Sequence, residues 1–142
     1  MELQTEQVEK LLVEGGFCTK KDFELAIEVA KEEGEPVREI LIDKDIVTDE
    51  HLGELVAAEY DFQFISLEKH GIQTTALRII PETVAKKNKV VAFASNDVIK
   101  VGMADPHDVA FISLLERKTD KKVVPYYVTD RDLESAYDMY SL

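Results

Sequence analysis

Leu12-Val13-Glu14-Gly15-Gly16-Phe17-Cys18-Thr19 and Leu41-Ile42-Asp43-Lys44-Asp45-Ile46-Val47-Thr48 are one segment written twice, 29 residues apart. The apolar pattern continues beyond the threonine in both copies. Phe23 matches Leu52, Ala26 matches Leu55, and Ile27 matches Val56, while Ala30 meets Glu59. Each copy reads as a short helix, a turn, a threonine cap and a second helix. This duplication decides the fold of the first half, because a repeated helix–turn–helix unit is far more specific than composition.

Working outward, residues 5–14 carry Val8, Leu11 and Leu12 at helical spacing. Thr19-Lys-Lys-Asp22 is capping-box chemistry for a helix that Gly34 ends near Glu33. Pro36 falls where a first-turn proline is tolerated, ahead of Val37, Ile40 and Leu41. Thr48 caps the next helix, with Asp49 and Glu50 complementing its dipole.

The second half alternates. Phe62-Gln-Phe-Ile65 predicts a short strand, and Leu67–Thr75 a loop turning at His70-Gly71. Ala76–Ile80 and Pro81–Lys87 predict two helical turns, the second opened by Pro81 at its first position. Val90–Ala94 and Val98–Met103 are β-branched strand runs joined by Ser95-Asn96-Asp97. Asp105-Pro106-His107-Asp108 predicts a helix start with Asp105 as cap and Asp108 as an N3 acid. A third strand, Lys122–Val128, precedes a capping box at Thr129-Asp-Arg-Asp132. The last helix would set Leu133, Ala136, Tyr137 and Tyr140 on one face. The expected fold class is therefore α+β. An N-terminal helical subdomain of two helix–turn–helix repeats (1–66) precedes a small α/β subdomain, β-β-α-β-α (67–142), together one unit.

Composition narrows the function classes. The chain has 142 residues, 45% hydrophobic and 32% charged, with a formal net charge of −12. That charge argues against general nucleic-acid binding and against anionic membrane surfaces. No apolar run is long enough to span a membrane, so no direct insertion is expected. The acidic N-terminus, Met1-Glu2-Leu3-Gln4-Thr5-Glu6, does not read as a signal peptide. The single cysteine, Cys18, forbids an internal disulfide and fits a reducing compartment. Basic residues concentrate at Lys86-Lys87-Asn88-Lys89 and at Arg117-Lys118 with Lys121-Lys122, whereas the first half holds most acids.

Catalytic patterns are missing. There is no Gly-x-x-x-x-Gly-Lys-Ser/Thr phosphate loop and no Gly-x-Gly-x-x-Gly turn. Cys18, His51, His70 and His107 have no metal-ligand spacing. Cys18 occupies an apolar position that Val47 fills in the second copy, so it reads as a small core residue rather than a nucleophile. Lys100 and His107 have no supporting constellation, and Met103 with Tyr126-Tyr127 reads as packing. No catalytic residue, cofactor or metal is expected, and the chain is not read as an enzyme.

Beyond these patterns, the chain resembles the N-terminal domain of the bacterial type II secretion ATPases and type IV pilus assembly motors. The resemblance runs over roughly residues 7–140. It is carried by the repeat, Leu55-Val-Ala-Ala-Glu-Tyr-Asp-Phe-Gln-Phe-Ile-Ser-Leu67, and Ala76-Leu-Arg-Ile-Ile-Pro-Glu-Thr-Val-Ala85. Ile99-Lys-Val-Gly-Met-Ala-Asp-Pro-His-Asp108 and Val128-Thr-Asp-Arg-Asp-Leu-Glu-Ser-Ala136 complete it. It implies a cytoplasmic, non-catalytic docking or regulatory module. Its partner would be the cytoplasmic part of an inner-membrane platform protein, or the motor's own ATPase core, which follows this region in the family. The module would then sit at the inner membrane through that partner. The chain's ends suit both an excised domain and a free-standing relative.

Some family members bind cyclic di-GMP through the two repeats, each opening with Arg-Leu-Gly. This chain has Gln7-Val8-Glu9 in the first copy and Pro36-Val37-Arg38 in the second. The later glycine is Gly16 in the first copy and Asp45 in the second. Glu9 and Asp45 would set carboxylates against a dianionic ligand, so the resemblance implies degenerate motif positions at Gln7, Glu9, Pro36 and Arg38 and does not favour cyclic di-GMP. The alternative is a second-messenger sensor in which Arg38 carries the recognition.

Overall fold

The computed structural model describes residues 3–141; Met1 and Glu2 of the acidic N-terminus, and Leu142, lie outside the described residues. By its contacts the chain forms two compact units, Glu2–Val56 and Ala57–Leu142. That division falls ten residues before the expected 66/67 point, inside helix α4 (Asp49–Glu59). The segment after Val56 makes its contacts with the sheet unit: Ala57 O accepts from Phe62 N, Ile65 N donates to Tyr127 O, and Leu67 is core there.

The first unit is helical: α1 (Thr5–Glu14), α2 (Lys20–Glu33), α3 (Val37–Asp43) and the start of α4. The repeat is reproduced bond by bond. Gly15, Gly16 and Phe17 N–H donate to Leu11, Val13 and Leu12 carbonyls. Lys44, Asp45 and Ile46 donate to Ile40, Ile42 and Leu41, each 29 residues on. Thr19 Oγ1 accepts from Asp22 N at 3.1 Å, and Thr48 Oγ1 accepts from His51 N at 3.0 Å. Gly16 and Asp45 both adopt left-handed backbone, φ +79° and +59°. The core takes the same positions from each copy: Leu12 with Leu41, and Phe23 with Leu52, joined by Val8, Ala26, Ala30, Ile40 and Val47. Pro36 is the N-cap of α3 (φ −62°, ψ 143°) rather than its first helical residue. Extended ψ is what the cap requires, and proline's fixed φ is compatible with it.

The second unit is built on a three-stranded sheet in the order β1 (Val90–Ser95), β2 (Val98–Met103), β3 (Lys122–Tyr127). β1 pairs antiparallel with β2, from Val90↔Met103 to Ser95↔Ile99. β2 pairs parallel with β3, from Val98↔Lys122 to Met103↔Tyr127, through the crossover helix α8 (Val109–Thr119). Both sheet faces are covered, so β1 can be apolar throughout. Ile80, Ala85, Phe111 and Leu115 pack on Val90, Ala92, Ile99, Val101, Met103 and Val123. Leu67, Leu77, Leu133 and Ala136 pack on Val91, Phe93 and Val128. The closing helix α9 (Asp130–Tyr137) continues into a 3-10 turn, Asp138–Ser141.

Four expectations change in this unit. The strand over 62–65 reduces to one parallel bridge, Phe64↔Tyr127. Extending it would require Pro125 to donate a backbone hydrogen bond it lacks, and the next outward donor, Val123 N–H, is held by Glu116 Oε2 at 2.9 Å. The expected loop after Leu67 opens with a helical turn, α5 (Leu67–His70), capped by Ser66 and followed by Gly71 at φ +84°. The turns α6 (Thr74–Leu77) and α7 (Glu82–Asn88) form, but Pro81 is the N-cap of α7, again with extended ψ. Finally, the cap of α8 is Asp108, whose Oδ1 accepts from Phe111 N at 3.1 Å, and not Asp105. Asp105 instead closes an Asx turn, accepting from His107 N at 3.0 Å.

Candidate functional site

In the first unit, the four motif positions fall on two helices that each pack on α2: Gln7 and Glu9 on α1, Pro36 and Arg38 at the start of α3. The repeat makes Gln7 equivalent to Pro36 and Glu9 equivalent to Arg38. Their companions differ. Gln7 Oε1 accepts from Gln4 N at 3.0 Å and so completes a capping box. Glu9 is half-buried beside Cys18. Pro36 is exposed. Arg38 is 26% exposed, with Nη2 3.7 Å from Asp49 Oδ1 and Nε 3.6 Å from Glu39 Oε1. In the first copy Lys20 stands where the second has Asp49. The two copies therefore exchange signs: Glu9 and Lys20 against Arg38 and Asp49.

Cys18 is half-buried and packs on the helical core. Burial, then the carboxylates of Asp22 and Glu9, push its thiol above the usual range. A raised thiol is a poor nucleophile at neutral pH, which agrees with its reading as a packing residue. Among the described residues no three His, Cys, Asp or Glu side chains gather to hold a metal.

The second unit brings together residues that sequence reasoning left apart. The His107 ring lies between Tyr60 (centroids 5.5 Å, 79°) and Phe62 (4.8 Å, 78°), edge-on to both. Its Nδ1 is 3.2 Å from Asp105 Oδ1. Alternation of Tyr60-Asp-Phe62 does not account for it, because Asp61 is a turn residue at φ +59° and the pairing left no periodic signal. The Asx turn at Asp105 aims the imidazole at the two aromatics. The cluster fastens the segment after α4 to the loop before α8. Lys100 is half-buried on β2, away from this group in sequence and in sheet register. Met103 and Tyr127 are core, and Tyr126 stacks edge-on to Phe93 at 5.4 Å.

With this architecture in place, comparison with known proteins identifies the class. The MshEN domain family matches residues 60–141, and the chain belongs to it. It is an N-terminal domain of the type II secretion and type IV pilus ATPase kind. The chain is 23% identical over 121 residues to the type IV pilus assembly ATPase PilB of Thermus thermophilus, covering 83% of its own length and 14% of that protein. Among solved structures, MshE with cdg superposes with a TM-score of 0.62 at 24% identity, covering 94% of this chain and 97% of that one. The N-terminal domain of XpsE gives 0.52 at 16%, covering 97% and 98%. At these identities the structural likeness is one of fold, and the fold is the α+β class expected. No helix among the described residues is long and apolar enough to cross a membrane.

Proposed function

We propose that this chain is a non-catalytic docking and regulatory domain of a secretion or pilus-assembly motor, binding the cytoplasmic part of an inner-membrane platform protein. The observation that carries this reading is the extent of the matches. The chain corresponds to 14% of a pilus assembly ATPase and to almost the whole of a separately solved N-terminal domain, as a discrete module does. Such a module works in the cytoplasm, held at the inner membrane by its partner. Titrating the 142-residue chain with the cognate cytoplasmic platform domain, by calorimetry, is expected to give saturable binding. No binding at high micromolar concentration would sink this reading, and saturable binding to the motor's ATPase core instead would redirect it.

A second reading, a cyclic di-GMP sensor, is favoured by one observation: the MshE structure of the same fold was solved with cdg. Against it stand Glu9 and Asp45, which would add negative charge near a dianionic ligand held at the motif positions, and the engagement of Arg38 with Asp49 and Glu39. Calorimetry with cyclic di-GMP separates the readings. The docking reading expects no heat of binding at about 100-fold molar excess, enough to saturate a micromolar site. A micromolar dissociation constant lost in Arg38→Ala would establish the sensor.

A further inference from the structure

We propose that the outward face of α8 docks the acidic outward face of α2 from a second copy of this chain. This goes beyond the platform-docking reading and does not depend on it. Helix α8 buries Phe111 and Leu115 and half-buries Ile112, Glu116 and Thr119, which form one stripe. The opposite stripe is Val109, Ala110, Ser113, Leu114, Arg117 and Lys118, all exposed. Val109 is 68% exposed and Leu114 45%, so an apolar half is left facing solvent. The other half is cationic. Among the described residues no ion pair occupies Arg117, Lys118 or the neighbouring Lys122. The acid next to Arg117, Glu116, is committed to Val123 N–H, and the exposed Asp120 closes the helix.

The occupant that complements this stripe is an acidic helix bearing one exposed aliphatic residue. The chain carries such a helix in its other unit, where 16 acids face 6 bases over Glu2–Val56. On α2, Leu25 is 50% exposed, flanked by exposed Glu24, Glu28 and Glu32. Setting Leu25 beside Leu114 in a parallel alignment places Glu28 by Arg117 within both helices, opposite in sign, and leaves Glu32 toward the basic end of α8. Residues on two parallel helices keep step at about 1.5 Å per residue, so this correspondence survives over the helical part of both segments. The contact joins different surfaces of two copies, so it is head-to-tail, and each copy can both give and receive. An 11-residue helix face buries less than the roughly 1,000 Å² of a stable interface, so isolated copies associate weakly and do so best at low salt.

The test is two-dimensional NMR of the full chain from micromolar to millimolar concentration at low salt. Amides of both α8 and α2 are expected to shift together as concentration rises, and to shift less in high salt. Charge reversal in Arg117→Glu with Lys118→Glu, or in Glu28→Lys with Glu32→Lys, is expected to weaken association about tenfold or more, the effect of losing roughly 1.4 kcal/mol. An equimolar mixture of the two reversed chains is expected to restore it, because each acidic face again meets a basic one. Leu114→Gln, at an exposed site, is a second variant expected to weaken association without reversing charge. Concentration-independent spectra, or α8 shifts that persist in the Glu28→Lys, Glu32→Lys chain, would overturn the proposal. So would a mixture of reversed chains that fails to associate.

Discussion

Gly16 and Asp45 do the same backbone work with different side chains. Both sit in the left-handed region, and nothing lies within 4 Å of a Cβ added at Gly16. Gly16→Ala therefore tests conformation alone, and a loss of about 1 kcal/mol is expected in denaturant titration. The opposite case is Gly102, where an added Cβ would meet Val128 Cγ1 at 2.8 Å. Gly102→Ala is expected to cost about 1–3 kcal/mol through crowding between the sheet and its covering layer. Sequence could flag Gly16, because its position recurs in the repeat. It could not flag Gly102, because the clash comes from a residue 26 positions away. The same limit explains the Asp105 and Asp108 reversal. Both are good cap residues, and only the point where α8 actually begins selects Asp108.

At the scale of elements, α5 shows a tertiary contact making local structure. The residues Leu67-Glu-Lys-His70 carry weak helical signal, yet the Asp132 carboxylate on α9 accepts from Leu67 N at 2.6 Å and from Glu68 N at 3.3 Å. Charge-assisted bonds to orphan N–H groups at a helix start are strong ones. Asp132→Ala is expected to cost about 1.5–3 kcal/mol and to speed hydrogen exchange at the Leu67 and Glu68 amides ahead of the sheet amides. The closing segment is tied down similarly: Tyr137 OH donates to Ala85 O at 3.0 Å and Tyr140 OH to Ile80 O at 2.8 Å. Burial, then neighbouring charge, pushes both phenols up to about 12 from an ordinary value near 10. Because the folded state holds these protons more tightly than the unfolded chain, their contribution is complete below pH 10 and is lost as pH rises from about 10 to 12. Tyr137→Phe with Tyr140→Phe is expected to lower stability at pH 7 and to flatten the alkaline decline, read from thermal melts across pH 8–12 (about two units either side of a free tyrosine).

Across the whole molecule, three apolar clusters among the described residues, one in the helical unit and one on each face of the sheet, and a lopsided charge are the governing facts. The helical unit carries sixteen acids against six bases, the sheet unit thirteen against eleven. Leu12 is fully buried in the helical core, so Leu12→Ala is expected to cost that unit about 2–5 kcal/mol. Hydrogen exchange should then rise across α1–α3 while β1 and β2 amides keep their protection. Sequence alone settled the repeat, a helical half ahead of an α/β half, the order of elements along the chain and the lack of catalytic patterns. Those are properties of periodicity and capping, which act over a few residues. That Phe62–Ile65 makes a single bridge is legible only in three dimensions, because Pro125 and Glu116 close the edge of β3. The fold alone placed His107 between Tyr60 and Phe62, and engaged Arg38 with Asp49. Each of these depends on groups 11 to about 60 residues apart meeting in space, and pairings at that range leave no periodic trace in the chain.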